Sequence, residues 1–565
     1  VTIEGGKEFV LVGNAVNAIP EGSFGDDANK LLKDSADGGS IDVNNGAFTF
    51  GSHGGVTPTV GWILSSNVAE NGSLEAKNGE FADWTIANNG NVHVHSNAIL
   101  HTNSLTGSGS TVNEGKLSLD EKDGNLPVFD VTGNFLNKGQ NSVLDASKVD
   151  KVTVSGTHAN EGKADYNDML IAEGGNSNNS GTEKGNILTV EGTHANSGTS
   201  IWNGVTVADS GKGDNSGKLD VGSVFDVIGE FVNKGKDAVL DATKTAVTTV
   251  AGLLRNEGTA NYDDMTVASG GTSNNSGFEK GDILTVANGG QHTNSGTSIW
   301  NNVTVQTGAT STVDVGGKET INGTYDIAGD RTNKGEVDAT KVANTQVSGS
   351  LDNQGTSNYD DMTVASGGIS NNSGFEKGDI LTIEDGGEHI NSGTSIWNNQ
   401  TIQVGGSATT EEGGKETIND KYVIAGDKTN KGEVDATKVT DTLISGTLDN
   451  QGKSEYDDMT IQGGGTSNNS SFEKGDVLTI DPDGEHNNSG TSIWNNVVVA
   501  GGDVNNTGDI ETGKLTIDDG LVKIDGGSLK AEETDLNGGD LVIGNDREPT
   551  EENHVKAEIN PKDDV

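Results

Sequence analysis

The 565-residue sequence contains no cysteine, only six prolines and only 4% aromatic residues. Without cysteine the chain can form neither a disulfide framework nor a cysteine-ligated zinc site, and this lack is typical of long extracellular bacterial proteins. Hydrophobic residues account for 30% of the chain, which is low for a compact globule of this length. No apolar run approaches the roughly 20 residues that a membrane-spanning helix needs, so we expect no transmembrane segment.

Positive charge is also scarce, because 36 basic residues stand against 85 acidic ones and the net charge is −49. The arginines are Arg255, Arg331 and Arg547, which are too few and too scattered for a polyanion site. A chain of this charge repels phosphate backbones, so we expect no nucleic-acid partner. We interpret the acidity as a solvated, self-repelling surface. The alternative is that divalent cations such as calcium bridge the acidic residues, but the sequence has no recognised calcium loop and we assign no cofactor.

The sequence is highly repetitive. The phrase Ser-Ile-Trp-Asn recurs with Trp202, Trp300, Trp397 and Trp494, so successive copies lie 98, 97 and 97 residues apart. A second phrase, Tyr-Asn/Asp-Asp-Met, also occurs four times and contains all four methionines. Copies this regular, with almost no insertions, predict a structural unit that stacks on itself in register.

A shorter period of about 19 residues runs inside the long one, so each repeat of about 97 residues contains five steps. Asn-x-Gly sites such as Asn160, Asn179 and Asn196 mark it, and Gly316 and Gly317 fill a gap in the series. Short runs of alternating β-branched and apolar residues lie between these sites and predict strands that are half buried on one face. Leucine-rich repeats have a similar length, but they need a dense leucine pattern that is missing here.

These patterns predict an all-β fold, a parallel and right-handed β-helix or β-solenoid with about 19 to 20 residues per coil and five coils per long repeat. A narrow coil needs few inward side chains, which accounts for the low apolar fraction. We expect the asparagines of aligned coils to stack as amide ladders. We also expect glycine and asparagine to supply positive φ where the strands turn.

The repeats divide the chain into five predicted segments. These are an N-terminal capping segment at 1–60 with one short helix at 26–37, irregular coils at 61–136, four long repeats at 137–505, shorter glycine-rich coils at 506–546 and a charged tail at 547–565. In the tail, Val555, Ala557 and Ile559 alternate as a final strand. This strand either caps its own solenoid or makes end-to-end contact by completing the edge of a neighbouring copy.

The tryptophans of the repeated phrase allow two interpretations. If Ile299 faces inward, Trp300 faces outward, and four indoles spaced about 24 Å apart form a multivalent contact array for glycans or a partner chain. Alternatively, the tryptophans and methionines pack against one another as core or corner filler.

Histidine also recurs once per long repeat, as His194, His292, His389 and His486. We place these residues at surface or corner positions, because copies about 24 Å apart cannot share a metal ion. His93 and His95 are different, since an i, i+2 pair on a strand points both rings the same way. This pair, with His101 nearby, could begin a metal site, but no third ligand stands beside it and we assign none.

Paired carboxylates recur as Asp263 with Asp264, Asp360 with Asp361, and Asp457 with Asp458. Sugar cleavage uses two carboxylates. However, adjacent strand residues point to opposite faces, and an active site is normally built once rather than once per repeat. We therefore assign no catalytic residue and expect that the protein is not an enzyme.

The Asn-Ser-Gly-Thr corners, Leu-Thr-Val strands and Gly-Gly pairs, as at 284–297, resemble the passenger regions of bacterial autotransporter adhesins over roughly residues 60 to 545. The resemblance implies a secreted, cell-surface protein that mediates adhesion, self-association or biofilm formation, with further copies of the chain and host or matrix glycans as partners. A filament subunit that assembles through its ends fits the same description. The alternative is a polysaccharide-active lyase or hydrolase on a β-helix, which predicts a unique cleft within residues 60–130.

Overall fold

The computed structural model describes residues 65–544, together with short strands at Thr2–Ile3, Glu8–Val12, Ser40–Val43, Ala47–Gly51, Gly61–Ile63 and Lys556–Glu558. The chain divides into two compact units, Val1–Asp282 and Ile283–Val565. Each unit is a stack of parallel coils in which a strand pairs with its counterpart about 19 residues later. The predicted all-β parallel solenoid is therefore confirmed.

One coil of the regular region consists of two strands and two turns. A four-residue strand such as Thr157–Asn160 ends at the asparagine corner, and the nine-residue strand Lys163–Ile171 follows it. Each strand buries every second residue, because successive side chains of a strand point to opposite faces and β-branched or apolar residues alternate with polar ones. The longer strand bends where Asn167 and Asp168, two successive residues that are not buried, interrupt this alternation. It thereby covers two faces of the coil.

The strand bounds repeat this plan in both units. The short strands of the first unit are Ser65–Val68, Thr85–Asn88, Ser104–Thr106, Ser110–Asn113, Lys116–Leu119, Val128–Val131, Asn134–Asn137, Thr157–Asn160, Asn176–Asn179, Thr193–Asn196, Lys212–Asn215, Glu230–Asn233, Leu253–Asn256 and Thr272–Asn275. Its longer strands are Ser73–Asp83, Asn91–Thr102, Val143–Val154, Lys163–Ile171, Thr182–Val190, Thr199–Val207, Lys218–Val227, Val239–Val250 and Thr259–Val267, and the strand Phe278–Val286 includes residues of both units.

The short strands of the second unit are Gln291–Asn294, Thr310–Val313, Asp330–Asn333, Glu336–Ala339, Thr345–Val347, Ser350–Asn353, Thr356–Tyr359, Asp361–Val364, Ile369–Asn372, Glu388–Asn391, Ser407–Thr410, Asp427–Asn430, Thr447–Asn450, Thr466–Asn469, Glu485–Asn488 and Asp540–Ile543. Its longer strands are Thr297–Val305, Lys318–Ile327, Phe375–Ile383, Thr394–Ile402, Lys415–Ile424, Glu433–Ile444, Lys453–Ile461, Phe472–Ile480, Thr491–Asn506, Asp509–Ile524 and Ser528–Leu536.

The predicted amide ladders are present along the asparagine corner. Asn137 Nδ2 donates to Asn160 Oδ1 at 2.7 Å, and Asn160 Nδ2 donates to Asn179 Oδ1 at 2.8 Å. Each of these amides also donates to a backbone carbonyl across the corner, as Asn160 does to Thr182 at 3.0 Å. Buried amides would be costly without partners, and the stacking of coils supplies those partners.

The gap in the Asn-x-Gly series is a change of residue and not a missing coil. Val313 is in register with Asn294 and Asn333, and Thr410 takes the same place one long repeat later. The ladder of side-chain amides therefore stops at these two coils, although the backbone pairing continues through them.

Glycine has two separate roles at the turns. Gly174, in the Gly-Gly turn, has a φ of +79°, which is the left-handed conformation that we predicted. Gly198, at the asparagine corner, has no such φ, and a Cβ on it would lie 2.0 Å from the carbonyl oxygen of Gly181 in the coil before. The expectation of positive φ at this corner is wrong, because the close approach of stacked backbones is what requires glycine there.

Some predicted features lie outside the described residues. These are the short helix at 26–37 and most of the N-terminal cap and charged tail. Between residues 65 and 544 there is no helix. This part of the chain therefore contains no helix that is long and apolar enough to cross a membrane. The right-handed sense of the coil and the segment boundaries stay predictions.

Candidate functional site

The four repeated tryptophans lie in the core. The exposed fractions of Trp202, Trp300, Trp397 and Trp494 are 1%, 0%, 0% and 2%. The prediction of an outward contact array is therefore wrong, and the alternative of packing inside the coil is what the structure has. The reason is the phase of the strand, because Ser395 and Trp397 face inward in Thr394–Ile402 whereas Ile396 between them does not.

A glycine in the preceding coil makes room for the indole. Gly378 pairs with Trp397, and a Cβ on this glycine would lie 2.2 Å from Trp397 Cζ3. Tyr359 stacks on the same indole, with ring centroids 6.1 Å apart and planes at 10°. The tyrosine and the tryptophan of the two repeated phrases are thus parts of one packing arrangement with Gly378.

Three of these indoles, Trp202, Trp397 and Trp494, are each connected to a buried carboxylate. Trp397 Nε1 donates to Ser395 Oγ at 2.8 Å, and Ser395 Oγ donates to Glu376 Oε1 at 2.8 Å. His389 Nε2 lies 3.1 Å from the same Oε1, and both of these side chains are fully buried. The same chain of four groups recurs with Trp202, Ser200, Glu183 and His194, and with Trp494, Ser492, Glu473 and His486.

This buried group has the residue types of a hydrolase triad but not its arrangement. The serine donates to the carboxylate and not to the imidazole, and the side chains are sealed from solvent. In the first copy, burial would raise the pKa of Glu183, but His194 and the Ser200 hydroxyl more than offset it and hold the pKa below its ordinary value. The group therefore stabilises a buried charge. The prediction that the repeated histidines lie at surface or corner positions is wrong, because all four are buried.

The second unit contains two further buried ion pairs, at equivalent positions of successive long repeats. Arg331 contacts Glu319, and Lys428 contacts Glu416. The side chains of these four residues are at most 1% exposed. Thr410 Oγ1 donates to Glu416 Oε2 at 2.7 Å, so the residue that interrupts the amide ladder serves the ion pair instead.

The first unit has an apolar version of the same core position. Leu219 stands where the later repeat has Glu416, and Phe231 stands where it has Lys428. Both are buried, and a Cβ on Gly213 in the coil before would lie 2.7 Å from the Phe231 ring. One coil geometry therefore accepts either a charged pair or an apolar pair.

His158 is a buried histidine whose place the next repeat fills with Leu254. Its Nε2 lies 2.8 Å from the Tyr166 hydroxyl, and its Nδ1 lies 3.2 Å from Ser177 Oγ. Burial lowers the pKa of His158 to about 4. The imidazole is therefore neutral inside the coil at neutral pH.

We expect the variant His158→Leu to lose a pH dependence that the natural protein has. The folded imidazole takes up its proton near pH 4 and the unfolded one near 6.5. The contribution of His158 to the free energy of unfolding is therefore complete above pH 6.5. It falls by about 3 kcal/mol as the pH decreases to 4. Hydrogen exchange of the coils at 157–207 between pH 7 and pH 4 measures this change. The reverse variant Leu254→His is expected to add the same dependence to the coils at 253–282, measured by hydrogen exchange of that segment. pH profiles that neither substitution changes would contradict the prediction.

One outward cluster brings together residues of three successive coils. His93 and His95 face outward from Asn91–Thr102, and their rings stack with centroids 3.8 Å apart. Glu75 Oε2 in the coil before lies 3.0 Å from His95 Nε2, and Glu114 Oε2 in the coil after lies 3.3 Å from His93 Nε2.

Coil stacking thus supplies the ligand-type residues that were missing beside the histidine pair in the sequence. The short period was the signal that could have found them. Glu75 precedes His93 by 18 residues, and Glu114 follows His95 by 19 residues. Each spacing is close to one coil.

The repeated aspartate pairs lie on outward bends. Asp360 and Asp361 meet Asp379 of the next coil, with carboxylate oxygens within 4.8 Å of one another. Burial and the two neighbouring carboxylates raise the pKa of Asp361. The expectation that paired aspartates point to opposite faces is wrong here, because the strand bends between them and neither is buried. An equivalent cluster contains Asp457, Asp458 and Asp476.

The described part of the tail pairs with its own chain. The strand Lys556–Glu558 runs parallel to Ser528–Leu536, with Ala557 opposite Leu529. This pairing corresponds to the capping alternative. Val555 and Ile559 lie outside the described residues, and donation of this strand to a neighbouring copy stays a prediction.

No protein-family model matches this chain, and no curated protein is significantly similar to it in sequence. Among solved structures, the chain is similar to the crystal structure of a hyper-glycosylated TibA fragment, residues 55–350, modified by TibC. The similarity covers 83% of this chain and 97% of that fragment, at 14% sequence identity and a TM-score of 0.13. At these values it carries no argument about family or function.

Proposed function

We propose that this chain is a non-catalytic structural and adhesive solenoid outside a bacterial cell, acting in surface adhesion, self-association or biofilm formation. The observation that supports this proposal is the repetition of outward polar groups in register. Asn487 Nδ2 donates to Asn468 Oδ1 at 3.0 Å, and Asn505 Nδ2 donates to Asn487 Oδ1 at 3.0 Å. These amides lie on three successive coils and form a second ladder, on the outside of the fold.

Recognition has to use such outward faces, because the repeated indoles, imidazoles and glutamates are sealed inside the coils. A row of equal polar groups at steps of about 4.8 Å offers many weak contacts at once. Weak contacts combine into strong attachment when several can engage simultaneously. Polyhydroxylated glycans and further copies of the chain are the partners that suit such a surface.

The alternative of a polysaccharide-active enzyme needs a cleft that admits a sugar. We placed this cleft within residues 60–130. The cavity there that is lined by Asn88, Leu105 and Phe129 has a volume of about 10 Å³. That volume is no more than about one water molecule needs, so this cavity gives the enzyme alternative no support.

Self-association is expected to increase with ionic strength. The net charge of −49 makes copies repel one another, over about 30 Å at 0.01 M salt but only about 8 Å at 0.15 M. We expect sedimentation velocity to show single chains at low salt and larger species at 0.15 M, with bundles or fibres of the same samples visible by negative-stain microscopy. A chain that stays monomeric in both conditions, and attaches to neither cells nor a glycan panel, contradicts the proposed function.

Deletion of residues 547–565 separates two modes of assembly. If copies join end to end through the tail strand, the deletion abolishes fibres. If they associate side by side through the outward polar rows, fibres or bundles persist and keep their salt dependence.

A further inference from the structure

We propose that Glu75, His93 and His95 bind one divalent transition-metal ion of the zinc or copper class, with Glu114 as a fourth ligand. This site goes beyond the proposed adhesive function and does not depend on it.

The geometry of the ligand atoms suits one ion. One nitrogen or oxygen from each of Glu75, His93 and His95 lies within 4.8 Å of the others. Ligand atoms around one zinc ion are about 3 to 4 Å apart, since each bond is about 2.0 to 2.2 Å long. Side-chain rotations that turn the two imidazoles out of their stack, so that both nitrogen lone pairs point at one ion, would close the site.

The chemistry of the cluster selects the class of ion. Imidazole nitrogen is a good ligand for zinc and copper, whereas calcium and magnesium take oxygen ligands. Two glutamates add two negative charges, part of which Lys77 and Lys138 offset at 3.6 Å from Glu75 and 2.8 Å from Glu114. The acidic clusters on the second unit have no imidazole and do not share this preference.

The histidine pair contains a buried nitrogen whose contact with a carboxylate is poorly aligned. His93 Nε2 is buried and has no hydrogen-bond partner of acceptable geometry among the described residues, although Glu114 Oε2 lies only 3.3 Å away. The two rings stack with centroids 3.8 Å apart, so both imidazoles lie together on the outward face of the strand.

The location gives the ion a structural consequence. Glu75, the histidine pair and Glu114 belong to three successive coils. A bound ion would connect these coils through side chains, in addition to their backbone hydrogen bonds. We therefore expect metal binding to protect this region against unfolding, because an ion that binds only the folded state stabilises that state.

His101 provides a control on the same strand. Its ring nitrogens contact Asp120 at 2.6 Å and Glu80 at 3.0 Å. Lys148 also contacts Asp120, at 2.8 Å. His101 thus has carboxylates on both sides, but it has no second imidazole beside it.

The test is a calorimetric titration of the chelator-treated full chain with zinc chloride, and then with copper chloride, in excess magnesium chloride. We expect one saturable site per chain for at least one of the two ions, and protection of the peptides at 65–119 from hydrogen exchange when that ion is bound. His95→Gln and Glu75→Gln are each expected to weaken binding by at least the roughly 10- to 100-fold that loss of a partner outside the ligand set costs. His101→Gln is expected to leave the affinity and the protection unchanged.

Three results would overturn the proposal. The first is the absence of saturable binding of either ion. The second is binding that His95→Gln and Glu75→Gln both leave unchanged, and the third is an equal loss in His101→Gln. Circular dichroism of each variant shows whether it is folded, and Glu75→Gln keeps the test valid if the histidine variant does not fold.

Discussion

The variant Glu416→Leu is expected to destabilise the surrounding coils by about 3 to 5 kcal/mol. The substitution leaves the buried ammonium of Lys428 without its counter-ion, and an uncompensated buried charge has a cost of that size. A stack of repeats does not unfold in one step. Hydrogen exchange of peptides covering 394–456 is therefore the appropriate measurement, since it reports the opening free energy of these coils alone.

An exposed ion pair in the same segment provides the matched control. Glu411 and Lys431 are 3.2 Å apart, and their side chains are 38% and 42% exposed. Glu411→Leu is expected to cost less than about 1 kcal/mol, because solvent screens such a pair. Equal losses of opening free energy in the two variants would contradict the prediction that the buried Glu416 pair contributes more to stability than the exposed pair.

The equivalent residues of the first unit suggest a triple variant that restores the lost stability. Ala408→Gly, Glu416→Leu and Lys428→Phe together reproduce the glycine, leucine and phenylalanine that the first unit has at these positions. We expect this triple variant to recover most of the stability that Glu416→Leu loses, because replacing a buried ion pair by well-packed apolar residues is often neutral. A triple variant as unstable as the single one would mean that the two versions of the core site are not interchangeable.

The variant Trp397→Ala is expected to cost about 3 to 5 kcal/mol, the usual range for removing a fully buried tryptophan. The indole fills the space above Gly378 and stacks on Tyr359, so its loss leaves a cavity that the stacked backbones cannot close. It also removes the hydrogen bond to Ser395. Hydrogen exchange of peptides covering 356–424 measures the effect.

A variant of the neighbouring residue distinguishes a packing role of Trp397 from a role in surface contact. Asn398 faces outward and donates to Asp379 at 2.9 Å, so Asn398→Ala is expected to cost less than about 1 kcal/mol. Below its melting temperature, folded Trp397→Ala should bind cells or glycans as well as the natural chain does. A selective loss of binding in the folded variant would restore the rejected idea of an indole contact array.

The fold could be predicted because its determinants are periodic. The Asn-x-Gly corners recur once per coil, and their amides form the ladder that aligns coil on coil, as Asn137, Asn160 and Asn179 do. A period read from the sequence gives the coil length directly. The coil length in turn gives the parallel register, since each corner must lie on the one before.

The phase of the strands was harder to predict than their period. Isoleucine looks like the core residue of Ser-Ile-Trp, yet Ser395 and Trp397 are buried and Ile396 is not. Serine faces inward because it hydrogen-bonds Glu376, a buried carboxylate that belongs to another coil. Hydrophobicity along one strand contains no information about such a polar partner.

The histidine cluster shows the same limit for a candidate site. His93 and His95 stand out in the sequence, but Glu75 and Glu114 become their neighbours only when coils are stacked. Spacing by one coil could have identified both glutamates. The contacts between individual atoms, such as the 3.0 Å approach of Glu75 to His95, require the structure.

The direction of the asparagine ladder gives each stack of amides a polarity. Every described side-chain amide in it donates towards the coil that follows, so the dipoles of these groups point the same way and reinforce one another. At the start of the series, Asn113 Oδ1 is a buried acceptor with no hydrogen-bond donor among the described residues. The coil in front of Asn113 has Val94 at this position, so an asparagine there would give this oxygen a donor, whereas the valine leaves it without one.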